Sequence, residues 1–185
     1  MSKILYVHGF ASCGNGNKSS LLKSRFGVQN VIAPDLPPSP MDAIELMEGI
    51  LKATPIDLMV GSSLGGYYAT YLAEKYHMKA ILINPSTQPW ETLAAYTGWQ
   101  KRFCDEEVFD FKPVYLEQLK LLQTAPIKGK YLLLLQTEDE VLDYTKAQSL
   151  YNKHKVIVEY GGNHRFENLD EYISMIEKFL KNESK

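Results

Sequence analysis

The sequence predicts an α/β fold: a mostly parallel central sheet with helices on both faces and a short aromatic-rich insertion. Three features carry that expectation. Short apolar runs alternate with helix-length amphipathic stretches, the rhythm of strands joined by crossover helices. The runs are apolar throughout, as strands buried on both faces are. Glycine, asparagine and proline punctuate the joins.

The first strand is residues 4–7, ending at His8-Gly9. A helix is expected over 19–25. The second strand, 30–33, stops at Pro34 and gives way to the proline-rich loop "APDLPPSP". Residues 41–52 place Ile44, Met47, Ile50 and Leu51 at helical spacing, with Asp42 and Glu45 near the positive N-terminal end. A strand at 56–60 and a helix at 64–76 follow, then a strand at 80–83 closed by Asn84-Pro85. The strand at 131–136 is the most apolar and runs into the acidic "TEDE". A helix over 143–152, a strand at 155–159 and the loop "YGGNH" come next. The last helix, 168–181, gathers Tyr172, Ile173, Ile176, Phe179 and Leu180 on one face. Residues 86–128 break the rhythm and are rich in aromatics, from Trp90 to Tyr115. This stretch reads as a lid-like insertion over the carboxyl edge of the sheet, too short to be a domain.

A chain of 185 residues fits one domain spanning 1–185. Its 45% hydrophobic and 23% charged content is ordinary for a globular protein. The formal net charge of -2 argues against a nucleic-acid partner, because no basic excess exists to replace counterions on phosphates. Ser2-Lys3 leads directly into a strand, and apolar runs such as 132–135 are too short to span a bilayer. A cytoplasmic protein with no membrane partner is expected. Cys13 and Cys104 lack CxxC partners, so neither redox nor zinc chemistry is suggested. Two reduced thiols are the expected state, with a disulfide between them left open.

Ligands of an open parallel sheet bind at the carboxyl ends of its strands. Gly61-Ser62-Ser63-Leu64-Gly65 lies at such an end and opens a helix, the setting in which G-x-S-x-G forms a nucleophile elbow. The turn is so sharp that the residues two before and two after the nucleophile must be small. Around Ser63 these are Gly61 and Gly65; around Ser62 they are Val60 and Leu64. The turn therefore selects Ser63. A serine nucleophile needs a histidine base, and the base an orienting carboxylate. Of four histidines, His77 ends a helix, His154 lies in a polar turn, and His8 is expected to be buried and bonded to its loop. His164, in a glycine-bearing loop after the last strand, is the candidate base. Asp139 follows the preceding strand and is the candidate acid. Glu138 and Glu140 compete with it, while Asp143 is better placed to cap a helix. The order Ser63, Asp139, His164 is the nucleophile-acid-base order of α/β-hydrolases. Backbone donors for a tetrahedral oxyanion are expected at Leu64, on the helix N-terminus, and at Phe10, in the loop after the first strand.

Six stretches, "LYVHGFASC", "APDLPPSP", "VGSSLGGYYATYL", "INPSTQPWE", "EDEVLDY" and "GGNHRF", together resemble the small bacterial YqiA-type esterases of the α/β-hydrolase superfamily. The resemblance runs through almost the whole chain, in the expected order. It implies a compact α/β-hydrolase fold with Ser63, Asp139 and His164 as triad, and activity on short acyl esters and acyl-CoA thioesters. One departure is Glu138, which stands where such proteins often have glycine. No metal or organic cofactor is required by that chemistry. Trp90 and Trp99 are candidates for walling an acyl pocket, with packing of the insertion onto the sheet the equal alternative. Two other functions compete. The loop "GFASCGNGNKSS" suggests a nucleotide-binding loop but lacks both diagnostic glycines. A non-catalytic binder that keeps the fold is the other.

Overall fold

The computed structural model describes residues 2–181. In chain order its elements are β1 (Ile4–Val7), α1 (Asn17–Phe26), β2 (Val31–Ile32), α2 (Pro40–Ala53), β3 (Leu58–Ser62) and α3 (Leu64–Tyr76). Then come β4 (Lys79–Ile83), α4 (Pro89–Thr92), β5 (Gly98–Lys101), β6 (Val108–Phe111) and α5 (Pro113–Leu121). The chain closes with β7 (Lys130–Gln136), α6 (Tyr144–Leu150), β8 (Lys155–Glu159) and α7 (Ile173–Lys181).

Six strands form one sheet in the order β2-β1-β3-β4-β7-β8, and every neighbouring pair is parallel. Side chains alternate across a strand, and here both faces are apolar. Leu5, Val7, Met59, Leu82, Leu133 and Leu135 share a buried cluster with Met47 of α2, Leu72 of α3 and Leu119 of α5. Ile4, Tyr6, Leu58, Val60, Ile81 and Leu134 pack on the other face with Leu22 of α1 and Ile176 and Phe179 of α7. This two-sided burial is why the strands read as continuous apolar runs. Among the described residues no helix is long and apolar enough to cross a membrane.

The sequence places α3 and β8 correctly to the residue. It starts β3 two residues early: Leu58 is the first residue to pair with β1, opposite Ile4. The final helix opens with a 3-10 turn, Leu169–Tyr172.

The aromatic stretch contains an antiparallel hairpin, β5 with β6. Its inward rings clasp Phe10: Phe109 and Phe111 stand 5.8 and 5.0 Å from it, edge-on. The Phe103 N–H also donates to Ala11 O at 2.8 Å. This folding-back corrects the expectation of two reduced thiols. Cys13 and Cys104 are joined as a disulfide, with Cα atoms 6.4 Å apart, within the span such a bond requires. They are 91 residues apart in sequence, and Cys104 lies between β5 and β6 of the hairpin.

Candidate active site

The chain leaves β1 toward β2 on one side of the sheet and later runs β3 to β4 on the other. The carboxyl ends of β1 and β3 therefore flank the switch point where open α/β sheets bind ligands. Gly9-Phe10 follows one of these strands and Ser63 the other.

Ser63 sits between β3 and α3 with φ 55° and ψ −122°, a left-handed conformation that ordinary residues avoid. The turn is tight enough that a Cβ on Gly61 would meet Gly65 O, and one on Gly65 would meet Val7 O. The Ser63 N–H donates to Ile83 O at 3.1 Å, and its carbonyl accepts from Gly66 and Ser86 N–H at 2.9 and 3.0 Å. Ser62 is the last, buried residue of β3.

His164 and Asp139 converge on this serine. The Asp139 side chain is 2% exposed and that of His164 20%. His164 Nδ1 lies 2.9 Å from both Asp139 carboxylate oxygens. A carboxylate can only accept, so Nδ1 carries the proton and Nε2 offers its lone pair. That lone pair faces Ser63 Oγ at 3.0 Å. Asp139 is fixed by its own turn, since Oδ1 accepts from Val141 and Leu142 N–H at 2.9 and 2.8 Å. The competing acids have other roles. Glu140 accepts the backbone N–H of His164 at 2.9 Å, which holds its carboxyl below the usual range. Asp143 caps α6 through Thr145 N–H. Glu138 is exposed and does not need a positive φ, so the turn forms without glycine there.

Asn84, read from sequence only as the close of a strand, ties these loops together. It follows directly after β4 and is buried, with φ 39°. Its Oδ1 accepts Gln136 N–H at 3.0 Å, at the root of the Asp139 turn. Its Nδ2 donates to Asn163 O at 3.0 Å and His164 O at 3.3 Å. Gln136 Oε1 in turn accepts Asn163 N–H at 3.0 Å.

Gly9 brings the β1 loop against the serine: a Cβ there would lie 3.2 Å from Ser63 Cβ and 3.7 Å from Oγ. Neither the Phe10 nor the Leu64 N–H has a partner among the described residues. His8 is buried, with Nδ1 donating to Gly9 O at 2.8 Å and Nε2 accepting Leu36 N–H at 3.0 Å. Burial holds it below the usual histidine range. It therefore braces the loop in its neutral form.

A cavity of about 330 Å³ opens beside Gly9, Phe10 and Leu64. Trp90 and Trp99 do not line it. Trp99 is on the outward side of β5 and 75% exposed, because alternation turns Gly98 and Gln100 inward instead. Trp90 packs edge-on to Tyr67, centroids 6.2 Å apart. Among the described residues one trio of metal-type donors gathers, Cys13, Cys104 and Asp105, and its two sulfurs are bonded to each other.

Solved structures share this architecture. The monoacylglycerol lipase of Paleococcus ferrophilus superimposes with a TM-score of 0.71 at 15% identity, over 96% of this chain and 93% of that one. The α/β-superfamily hydrolase of Oenococcus oeni PSU-1 does so with 0.67 at 14%, over 98% and 94%. Est1E from Butyrivibrio proteoclasticus, solved with ferulic acid, gives 0.69 at 13%, over 98% and 87%. The chain thus has the α/β-hydrolase fold. In sequence it is 27% identical to UPF0227 protein VV1_2072 of Vibrio vulnificus (strain CMCP6) over 188 residues, 97% of this chain and 99% of that protein. It is 26% identical to PM0825 of Pasteurella multocida over 185 residues, 95% and 98%. The profile of one family matches residues 3–181, nearly end to end, and by that match the chain belongs to the uncharacterised protein family UPF0227.

Proposed function

We propose that this protein is a serine hydrolase of carboxylic esters. One observation carries the reading: an unbroken line of hydrogen bonds from Ser63 Oγ through both ring nitrogens of His164 to the buried Asp139. Ser63 attacks the acyl carbonyl as His164 Nε2 takes its proton. Asp139 keeps the ring in the required tautomer and stabilises the imidazolium that forms. The Phe10 and Leu64 amides receive the oxyanion, where each donor is worth ~100- to 1000-fold in rate. His164 then hands its proton to the leaving alcohol, and water repeats the sequence on the acyl-enzyme. Nothing in these steps calls on a metal or organic cofactor. Short acyl esters are the substrates, and acyl-CoA thioesters undergo the same attack. The monoacylglycerol lipase among the fold neighbours supports the same reading.

A cytoplasmic location belongs to this reading. The Cys13–Cys104 bond weighs against it, since disulfides are rare where glutathione keeps thiols reduced. Alkylating thiols in intact cells before lysis decides between the two.

A fluorophosphonate probe tests the chemistry. Labelling is expected on wild type and Ser62→Ala and lost on Ser63→Ala. Folded wild type that takes no label would be a binder on a hydrolase fold.

A further inference from the structure

We propose that the Cys13–Cys104 bond is a reversible redox site, and that a dithiol reductant acting on it lowers the hydrolase rate by loosening the loop that presents the Phe10 N–H. The inference rests on the hydrolase reading above and adds a means of regulation to that site.

The bond joins two walls of the cleft. Phe10, Ala11 and Ser12 line it from the β1 loop, and Arg102, Glu107 and Phe109 from the hairpin. Cys13 continues the first wall, and Cys104 lies in the turn between β5 and β6. The walls also meet through the Phe103 N–H on Ala11 O, and through the rings of Phe109 and Phe111 on Phe10. The hairpin itself is two strands of four residues, and a two-stranded hairpin is marginally stable in isolation. A covalent tie at its tip therefore matters to where it rests.

Ala11 makes the loop sensitive to that tie. It has φ 52°, a conformation that alanine avoids. Its carbonyl takes the Phe103 N–H, and Cys13 follows two residues later. Two hairpin tethers thus close on the strained residue next to Phe10. His8 braces the other side of the loop, at Gly9 O and the Leu36 N–H. With the bond cut, the His8 brace remains and the hairpin side slackens. Ala11 then relaxes toward negative φ and turns the Phe10 N–H away from the oxyanion.

The bond is open to attack from solvent. Cys104 is exposed and Cys13 buried, so a reductant thiolate attacks the Cys104 sulfur. The S–S bond breaks, and Cys13 leaves as a thiolate that takes up the proton the attacking thiol released. The reductant's second thiol attacks the mixed disulfide, and Cys104 departs with that group's proton. The dithiol leaves oxidised to a disulfide, and two electrons and two protons have passed to the protein. The Asp105 carboxylate lies within 4.8 Å of both sulfurs, and Glu106 and Glu107 follow it. These acids repel an anionic thiol such as glutathione, so a neutral dithiol is the fitting reductant. A reversible bond also reconciles the disulfide with the cytoplasmic reading, because disulfides there are usually transient and redox-sensing.

The test is hydrolysis of p-nitrophenyl butyrate with and without dithiothreitol, at a temperature where circular dichroism shows the reduced protein folded. Reduction should lower kcat by about tenfold and leave KM within about threefold. The Ki of a trifluoromethyl ketone, which binds as a tetrahedral oxyanion, should rise by a similar factor. Desalting and oxidation with diamide should restore both values. Cys13→Ser and Cys104→Ser should each show the reduced rate without reductant and not respond to it; if one fails to fold, the other decides. Reduced, folded protein that keeps the oxidised kcat overturns the redox site and leaves the hydrolase reading intact. So does a lower kcat with Ki unchanged, or a loss that reoxidation does not reverse. Oxidised, folded protein that cleaves no ester sinks both.

Discussion

Asn84→Asp separates a positioning network from mere packing. Asparagine and aspartate have the same shape and both tolerate left-handed backbone, so the φ of 39° is not disturbed. The aspartate Oδ1 still accepts Gln136 N–H. What changes is Nδ2, whose two hydrogen bonds reach Asn163 O and His164 O. A carboxylate oxygen in its place leaves both carbonyls unpaired and repels them. Each buried group left unsatisfied costs roughly 1–3 kcal/mol, so the pair costs about 3 kcal/mol or more. For a chain of this size that lowers Tm by roughly 6–12 °C.

The effect on rate comes from displacement of the His164 loop. Moving a catalytic group by about 1 Å costs on the order of 100-fold in kcat. Asn84 does not line the cavity, so KM for p-nitrophenyl butyrate should stay within about twofold. The assay is hydrolysis of that ester well below the variant's Tm, beside urea unfolding of the same preparation. Asn84→Gly, which keeps the backbone freedom but removes every side-chain bond, should give a similar split between kcat and KM. A folded Asn84→Asp with kcat within about twofold of wild type refutes the reasoning.

The remaining tests are shorter. The disulfide closes a separation of 91 residues, for which chain entropy gives roughly 4–5 kcal/mol. Dithiothreitol should lower wild-type Tm by roughly 10–15 °C and leave Cys104→Ser unmoved; equal responses would contradict the pairing. His8 is held neutral by burial, below the usual histidine range. The unfolded chain therefore binds more protons once pH falls below about 6.5, and stability, full above that pH, is lost beneath it by up to ~1.4 kcal/mol per pH unit. Urea midpoints of wild type should drop between pH 7.5 and 5.5 more than those of His8→Gln; parallel lines would exclude His8 as a cause. Gly65→Ala puts a Cβ against the backbone oxygens of Val7 and His8. The loss should reach about 3 kcal/mol in urea unfolding, and a loss under about 1 kcal/mol would show that the elbow has slack.

The elbow was legible because its constraint is local. Whether Ser62 or Ser63 is the candidate nucleophile follows from residues two positions away, and the same glycines make the close backbone contacts seen in space. Asp139 and His164 were legible through topology: each follows a strand of a parallel sheet, and such ends gather on one edge. The hairpin was not. β5 and β6 have four residues each, and Trp99 and Val108 on the outside are as apolar as Phe109 within, so alternation carries no signal. Reading those aromatics as pocket walls failed at Trp99 for that reason. The Cys13–Cys104 pair and Asn84 were hidden by distance. Asn84 reaches partners up to 80 residues on, and no short window holds that information.

Backbone strain gathers at this edge of the sheet. Among the described residues six non-glycine residues have positive φ, and four of them, Ala11, Ser63, Asn84 and Phe166, lie on the loops that form the candidate site. Each costs roughly 1–2 kcal/mol. The sheet behind them supplies the restraint, because Ser63 is tied by its own backbone to Ile83 and Ser86 and cannot relax alone. The geometry is thus set by the fold before any substrate arrives. Glycine adopts positive φ without penalty, so Ser63→Gly should be more stable than Ser63→Ala by about 1 kcal/mol. Both lack the hydroxyl and neither should take a fluorophosphonate label. Equal urea midpoints for the two variants would mean that the turn at Ser63 stores no strain, and that its φ of 55° must be explained in another way.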